Sequence, residues 1–441
     1  MNLYIENFAK IANANINIDG ITVIAGENNT GKSTIGKILF AVFNALKEMD
    51  KKVVDGKLRT IRGEFIKKIY EYDNDDEDIY SRYIITEFSN DIYKQFKELI
   101  EIQDYPSKDI IENRIKNIVN QVLTETKLNE KVDVNVLTEM TSKILKIVQL
   151  PNDEIACGEI TNFFADVFNN QINSLNKTDE DSSFAKVLLN IKNKDIVLEF
   201  ENEKCKNFKR DINIIKKAVY IDNPFIIDEI DNSKIFRRRI RNNKPNDFLR
   251  YLISNVKEEN QHKEVVNNIL AQKKLDEIMG LLEKVISGNI YVESGDKFYI
   301  ENSLYTKGIS IKNISTGLKS FAILKMLIEN SVLIEKDVLV LDEPEIHLHP
   351  QWQVIYAELI VLLQKHFDLS IVVTTHSPYF LDAIDLFSIK HGIKDKMNFY
   401  LSENKENGAM FRNVNENIEL IYDKMATPLS VLETLRLELG Q

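Results

Sequence analysis

Apolar and polar positions alternate at residues 2–6 and 14–18, with Leu3 and Ile5, then Ile16 and Ile18, on the apolar side. A period of two predicts half-buried strands. Residues 21–25, ITVIA, are instead continuously apolar and stop at Gly26, as a fully buried strand running into a loop does. The period then changes. Ile35, Ile38, Leu39, Val42 and Leu46 recur at three-to-four spacing and predict a helix over 32–49.

From about residue 50 to 215 the chain turns charged and helical. Residues 73–78, DNDDED, suit a solvated loop. Ile111, Ile115, Ile118, Val119 and Val122 predict an amphipathic helix over 106–123, with Pro106 near its start, and a second follows at 134–148. No heptad pattern persists over four repeats, which excludes a long coiled coil. Strand character returns at 195–200 and 217–222, and another helical stretch covers 247–286. Gly295-Asp296 divides two alternating runs, 289–293 and 297–301, as in a hairpin. Apolar strands at 338–343 and 371–376, strands at 397–401 and 409–412, and a closing helix near 428–439 complete the pattern. The economical organisation is a core built from 1–49 and 290–441, interrupted over 50–289 by a mainly helical insertion that includes core strands near 195–222.

Composition narrows the class. The 441 residues are 44% hydrophobic and 28% charged, ordinary for a globular chain that buries a large core. No apolar run reaches the roughly 18–20 residues of a membrane span, and MNLYIENFAKI lacks the pattern of a signal peptide. Only Cys157 and Cys205 occur, so a cytoplasmic protein with reduced thiols is expected. A net charge of −11 argues against a protein that coats nucleic acid over its whole surface. One dense basic run, Lys234, Arg237, Arg238, Arg239, Arg241 and Lys244, is either a solvated face or a local nucleic-acid contact.

Four segments carry chemistry. Gly26-Glu27-Asn28-Asn29-Thr30-Gly31-Lys32-Ser33, followed by Thr34, fits the phosphate-binding loop pattern between a buried strand and a helix. Its glycines let backbone N–H groups and the helix N-terminus face an anion. Lys32 then reaches the β- and γ-phosphates and the Ser33 hydroxyl binds Mg²⁺. The strand VLVLDE ends in Asp342, placed to hold Mg²⁺, and Glu343, placed to polarise an attacking water. The bland alternative is a core strand with solvated ends, which the upstream loop disfavours. The strand IVVTTH ends in His376, where a side chain faces a bound nucleotide. In ISTGLKS, Ser315 and Gly317 start a helix near 317–334 and offer a hydroxyl and free N–H groups to an anion. His347 and His349 alternate beside Glu345, a spacing geometrically open to a metal although the sequence context already accounts for it.

Taken together, GENNTGKS, ISTGLKS, VLVLDEPEIHLHP and TTHSPYFL resemble the ABC-type ATPase core of the RecF, SMC and OLD (overcoming-lysogenization-defect) ATPases. Within that group the chain looks most like stand-alone, defence-associated ATPases. The resemblance covers roughly 1–45 and 305–390. It implies an α/β P-loop fold, ATP and Mg²⁺ as ligands, and a head-to-tail homodimer or larger homo-oligomer. Ser315 and Gly317 of one subunit would contact the γ-phosphate held by Lys32 of the other. Glu343 matches the catalytic glutamate and His376 the switch histidine. The chain departs from the transporter pattern: Thr316 stands at the first glycine of the signature, and HLHP replaces the acidic D-loop. An antiphage or toxin-type regulator acting on a separate effector, a nuclease or toxin, is the expected role. A RecF-like repair ATPase is the alternative.

Overall fold

The computed structural model describes residues 1–72, 90–102, 107–125, 133–174, 184–229, 243–254, 275–286, 288–293, 297–301 and 307–439. Two compact units emerge, Met1–Lys47 with Ile160–Gln441, and Glu48–Glu159.

The chain opens with the strands β1 (Asn2–Phe8) and β2 (Ile11–Asn17), paired antiparallel, and β3 (Ile21–Gly26), buried along its whole length. The P-loop follows, and α1 (Lys32–Leu46) starts at its last residues. The second unit holds α2 (Met49–Tyr72), α3 (Asn90–Glu101), α4 (Lys108–Glu125) and α5 (Val134–Gln149). Its core is its own: Ile61, Phe65, Phe96, Ile115, Val119, Ile144 and Val148 are buried together. The apolar stripe read at 111–122 is the buried face of α4. The unit boundary then falls within α6 (Asn152–Phe168).

After α6 the chain returns to the first unit's sheet. β4 (Phe184–Ile191), β5 (Lys194–Glu201) and β6 (Lys204–Arg210) form an antiparallel ladder that continues from β1. β7 (Ala218–Ile221) precedes a 3-10 turn at Pro224–Glu229 and then α7 (Pro245–Ser254). β8 (Asn289–Glu293), β9 (Lys297–Glu301) and β10 (Ile309–Ser310) make a small second sheet, with the expected hairpin register between the first two. Residues 294–296 lie outside the described residues.

The remaining elements alternate. They are α8 (Thr316–Glu329), β11 (Val338–Asp342), α9 (Pro350–Phe367), β12 (Ser370–Thr375), α10 (Pro378–Lys390), β13 (Met397–Lys405), β14 (Gly408–Asn413) and α11 (Glu419–Glu438). The strand order of the main sheet is β6-β5-β4-β1-β2-β14-β13-β3-β12-β11-β7. Its β7, β11, β12, β3 and β13 run parallel. Such strands are covered on both faces and read as continuous apolar runs, which is why ITVIA, VLVL and IVV lack alternation. The fold is α/β, as expected.

The compact helical unit is shorter than the 50–289 insertion read from the sequence. The reason is periodicity. Ala185, Val187, Leu189, Ile196, Leu198 and Phe200 alternate and are buried, so this stretch extends the main sheet. Leu249, Ile253, Ile278 and Leu282 pack into the same core as Val23, Leu341 and Val373. Within the basic run, Lys234, Arg237, Arg238, Arg239 and Arg241 lie outside the described residues, and only Lys244 is described. Among the described residues no helix is long and apolar enough to cross a membrane.

Candidate functional site

In a parallel sheet the loops at the carboxyl ends of adjacent strands share one edge, and ligands bind there. β3, β12, β11 and β7 are consecutive neighbours, so the P-loop, His376, Asp342 with Glu343, and residue 222 all leave the sheet on one side.

The P-loop backbone is unusual where the motif requires it. Gly26 has φ +147°, Asn29 +65° and Gly31 +79°. A Cβ at Gly26 would sit 2.2 Å from the Ser402 carbonyl oxygen on β13, so glycine is needed for both conformation and space. Thr30 is buried. Its hydroxyl donates to the Glu27 carbonyl (2.8 Å) and lies 2.7 Å from the Ser402 hydroxyl. Glu27 itself points outward to Lys424 of α11, 2.9 Å away. Asn28 is exposed, and Asn29 accepts from the Lys10 ammonium.

Lys32 is 4% exposed, and its ammonium donates back to the loop, to the carbonyls of Glu27 (2.6 Å) and Gly26 (3.3 Å). Burial pushes its pKa down, while Glu343 and Asp342 oppose that shift. The N–H groups of Gly31, Lys32 and Ser33 donate to no protein acceptor among the described residues. Three unpaired donors at a helix N-terminus, beside a lysine and above Ser33 and Thr34, form a cradle fitted to phosphate oxygens.

Asp342 is held from both sides. Tyr220 of β7 donates its hydroxyl to Oδ2 (2.6 Å), and Thr374 of β12 donates to Oδ1 (2.5 Å). Burial pushes the Tyr220 phenol well above its usual pKa, reinforced by the Asp342 carboxylate, so it stays a donor. An oriented carboxylate and the Ser33 hydroxyl are hard-oxygen donors of the kind that suit Mg²⁺.

Glu343 occupies the left-handed region at φ +49°, uncommon for a residue with a side chain. Its N–H donates to the Thr374 hydroxyl (2.9 Å) and carbonyl (3.2 Å), which hold the strained turn. The Glu343 Oε1 and His376 Nε2 atoms lie 2.9 Å apart, at ion-pair distance but off the direction of a good hydrogen bond. Burial lowers the His376 pKa, and Lys32 adds to this; Glu343 pulls it partly back. The net shift is downward, toward the neutral ring.

Behind these groups sits Glu345, a residue the sequence marked only as a neighbour of two histidines. It is 5% exposed and accepts from the Thr375 hydroxyl (2.6 Å) and the His376 N–H (2.8 Å). Burial raises its pKa. Ser377 continues the network by donating to Gln353 (2.7 Å) and capping α10 at Phe380 N–H (3.2 Å). His349 caps α9 through Gln351 N–H at 3.4 Å, and His347 packs edge-on to Phe225. Among the described residues no group of three or more His, Cys, Asp or Glu is arranged to hold a metal by itself.

Ser315 is the N-cap of α8, its hydroxyl accepting from Leu318 N–H at 3.4 Å, and it is exposed. Gly317 packs so closely that a Cβ would meet the His347 carbonyl and the Trp352 ring, each at 3.0 Å. The P-loop cleft, about 350 Å³, is lined by residues of the P-loop and α1, by Glu343, by Ala9 and Lys10, and by the end of α6 and the loop after it. Ser315 and Gly317 are not among its lining residues. One copy of the chain thus brings together Lys32, Ser33, Asp342, Glu343 and His376, whereas the exposed Ser315 and the buried Gly317 do not line the cleft.

Among curated proteins, none matches the chain. The crystal structure of an Smc head bound to the C-terminal winged-helix domain of ScpA is 12% identical and aligns over 95% of this chain and 98% of that one, at a TM-score of 0.44. The SMC head domain from Thermotoga maritima is 11% identical over 94% and 98%, at 0.40. A Pyrococcus furiosus Smc head with an extended coiled coil, bound to the C-terminal domain of ScpA, is 12% identical over 99% and 98%, at 0.42. The family model described as "AAA ATPase domain" matches residues 1–381, and the chain belongs to that family.

Proposed function

We propose that the protein binds ATP with Mg²⁺ at this cleft and hydrolyses it to ADP and phosphate. The observation that carries the reading is the convergence of an anion cradle, an oriented Asp342 and the Glu343–His376 pair on one sheet edge. Lys32 exchanges its two carbonyl acceptors for phosphate oxygens, which also relieves the cost of burying its charge. Mg²⁺, held by Ser33 and Asp342, would neutralise charge on the β- and γ-phosphates. Glu343 orients water and accepts its proton, and neutral His376 donates from Nε2 toward the γ-phosphate side.

The site is completed by a second copy. Neither Ser315 nor the buried Gly317 lines the cleft of its own chain, so the exposed Ser315 hydroxyl at the start of α8 is available to another copy's γ-phosphate. We read the purpose of this cycle as regulation in an antiphage or toxin-type system, with a separate nuclease or toxin as effector. The compact helical unit Glu48–Glu159, which carries none of the nucleotide motifs, supports a partner-reading role. A RecF-like repair ATPase remains the alternative function.

Phosphate release by the purified protein should require ATP and Mg²⁺, stop with a chelator, and fall to background in Lys32→Ala together with ATP binding. Unchanged turnover in Lys32→Ala would place hydrolysis elsewhere. For the biological role, cells carrying the chain and its genomic neighbours should resist phage, and Glu343→Gln should lose that protection. Full protection by the variant would contradict a regulatory ATPase.

A further inference from the structure

The P-loop accounts for only part of the cleft. Its other wall is built from the β1–β2 turn and from the end of α6, including Lys10, Phe168, Asn169 and Gln171. None of these belongs to a phosphate motif, and they come from two separate stretches of chain.

This wall is a built structure. Asn169 and Asn170 both take left-handed backbone, at φ +51° and +59°. Asparagine tolerates that conformation better than most residues. The turn is held by Asn170 N–H to Ala165 (3.2 Å) and Gln171 N–H to Phe168 (3.1 Å). It is tied to the β1–β2 turn by Ala9 N–H to Ile172 (2.8 Å), and to the β5–β6 turn by Glu203 N–H to Asn173 Oδ1 (2.7 Å). The half-buried Phe168 ring is fixed against Phe8, with centroids 4.9 Å apart. Asn169 and Gln171 remain exposed, so their carboxamides offer donors and acceptors at the cleft.

We propose that Phe168, Asn169 and Gln171 form the nucleoside subsite, with the Phe168 ring as apolar wall and the two carboxamides bonding the base edge and ribose hydroxyls. This rests on the P-loop binding a nucleoside triphosphate. With the phosphates over Gly31–Ser33 and the γ-phosphate toward Glu343, the described lining residues outside the P-loop, α1 and Glu343 are those of the β1–β2 turn and the α6 end. An apolar wall with a few convergent polar groups is the usual make-up of a small-ligand pocket, and about 300–1,000 Å³ is its usual size. Amide side chains on a pinned turn read the base, not merely charge, so the subsite supplies preference among nucleotides.

The test compares ATP with inorganic tripolyphosphate, which lacks the nucleoside. The variant is Asn169→Gly/Gln171→Ala, since glycine keeps the positive φ at no cost. Calorimetric titration in the presence of Mg²⁺ should show ATP affinity reduced about tenfold or more, as expected for two lost hydrogen bonds. Tripolyphosphate affinity should stay within about twofold of the wild-type value, which also shows that the variant is folded. Unchanged ATP affinity, or equal losses for both ligands, would overturn the subsite while leaving the P-loop reading intact. A wild-type protein that binds neither ligand would overturn the nucleotide reading, and the subsite with it.

Discussion

Glu343→Gln should still bind ATP yet hydrolyse it at least about a hundredfold more slowly, the scale of a lost general base. The isosteric amide keeps the turn, because Glu343 is anchored through its backbone N–H to Thr374 and not through its side chain. What disappears is the carboxylate 2.9 Å from His376 Nε2. Glu343 is also one of the charges raising the His376 pKa, so the substitution should lower that pKa further. A histidine NMR titration can follow this separately from activity. Because hydrolysis is what reopens the proposed dimer, the variant with ATP should elute from a sizing column as a stable dimer. Turnover at the wild-type rate would remove Glu343 from the chemistry.

Much of this site could be read from sequence, for a physical reason. The P-loop, the Asp342-Glu343 pair and His376 each follow a fully buried parallel strand, and such strands write themselves as unbroken apolar runs. The start of α8 was legible too, since Ser315 is a cap residue in sequence and caps α8 in the structure. The supporting groups were not legible. Tyr220 lies 122 residues from the Asp342 it orients, and Ser402 lies 372 from Thr30. In sequence, Tyr220 is one more apolar residue of a core strand. The register that sets it beside β11 comes only from the folded sheet. Glu345 shows the opposite failure. In sequence it was only the neighbour of an alternating histidine pair open to a metal, whereas the fold buries it to fix the backbone at His376. Of the ladder that extends the sheet, the stretch of β5 was read as a strand. β4 before it was not, because polar residues on its less buried side give it the look of the helices and only the buried alternate positions separate the two.

The arrangement of two copies gives the second large effect. Ser315→Arg adds a bulky charge at an exposed helix N-terminus outside its own cleft, and Lys32→Ala removes the phosphate ligand within it. Each variant alone should be inactive, because in a dimer of either one both shared sites are defective. In a mixed dimer, one site pairs an intact Lys32 with an intact Ser315. Equal mixing with random exchange should therefore restore about a quarter of wild-type phosphate release, if the two sites act independently. Phosphate release from that mixture, with mixed dimers confirmed by differently tagged subunits, is the most direct measurement. Recovery to about that level is the expected result; no recovery despite mixed dimers would contradict an ATP site shared between two copies of the chain.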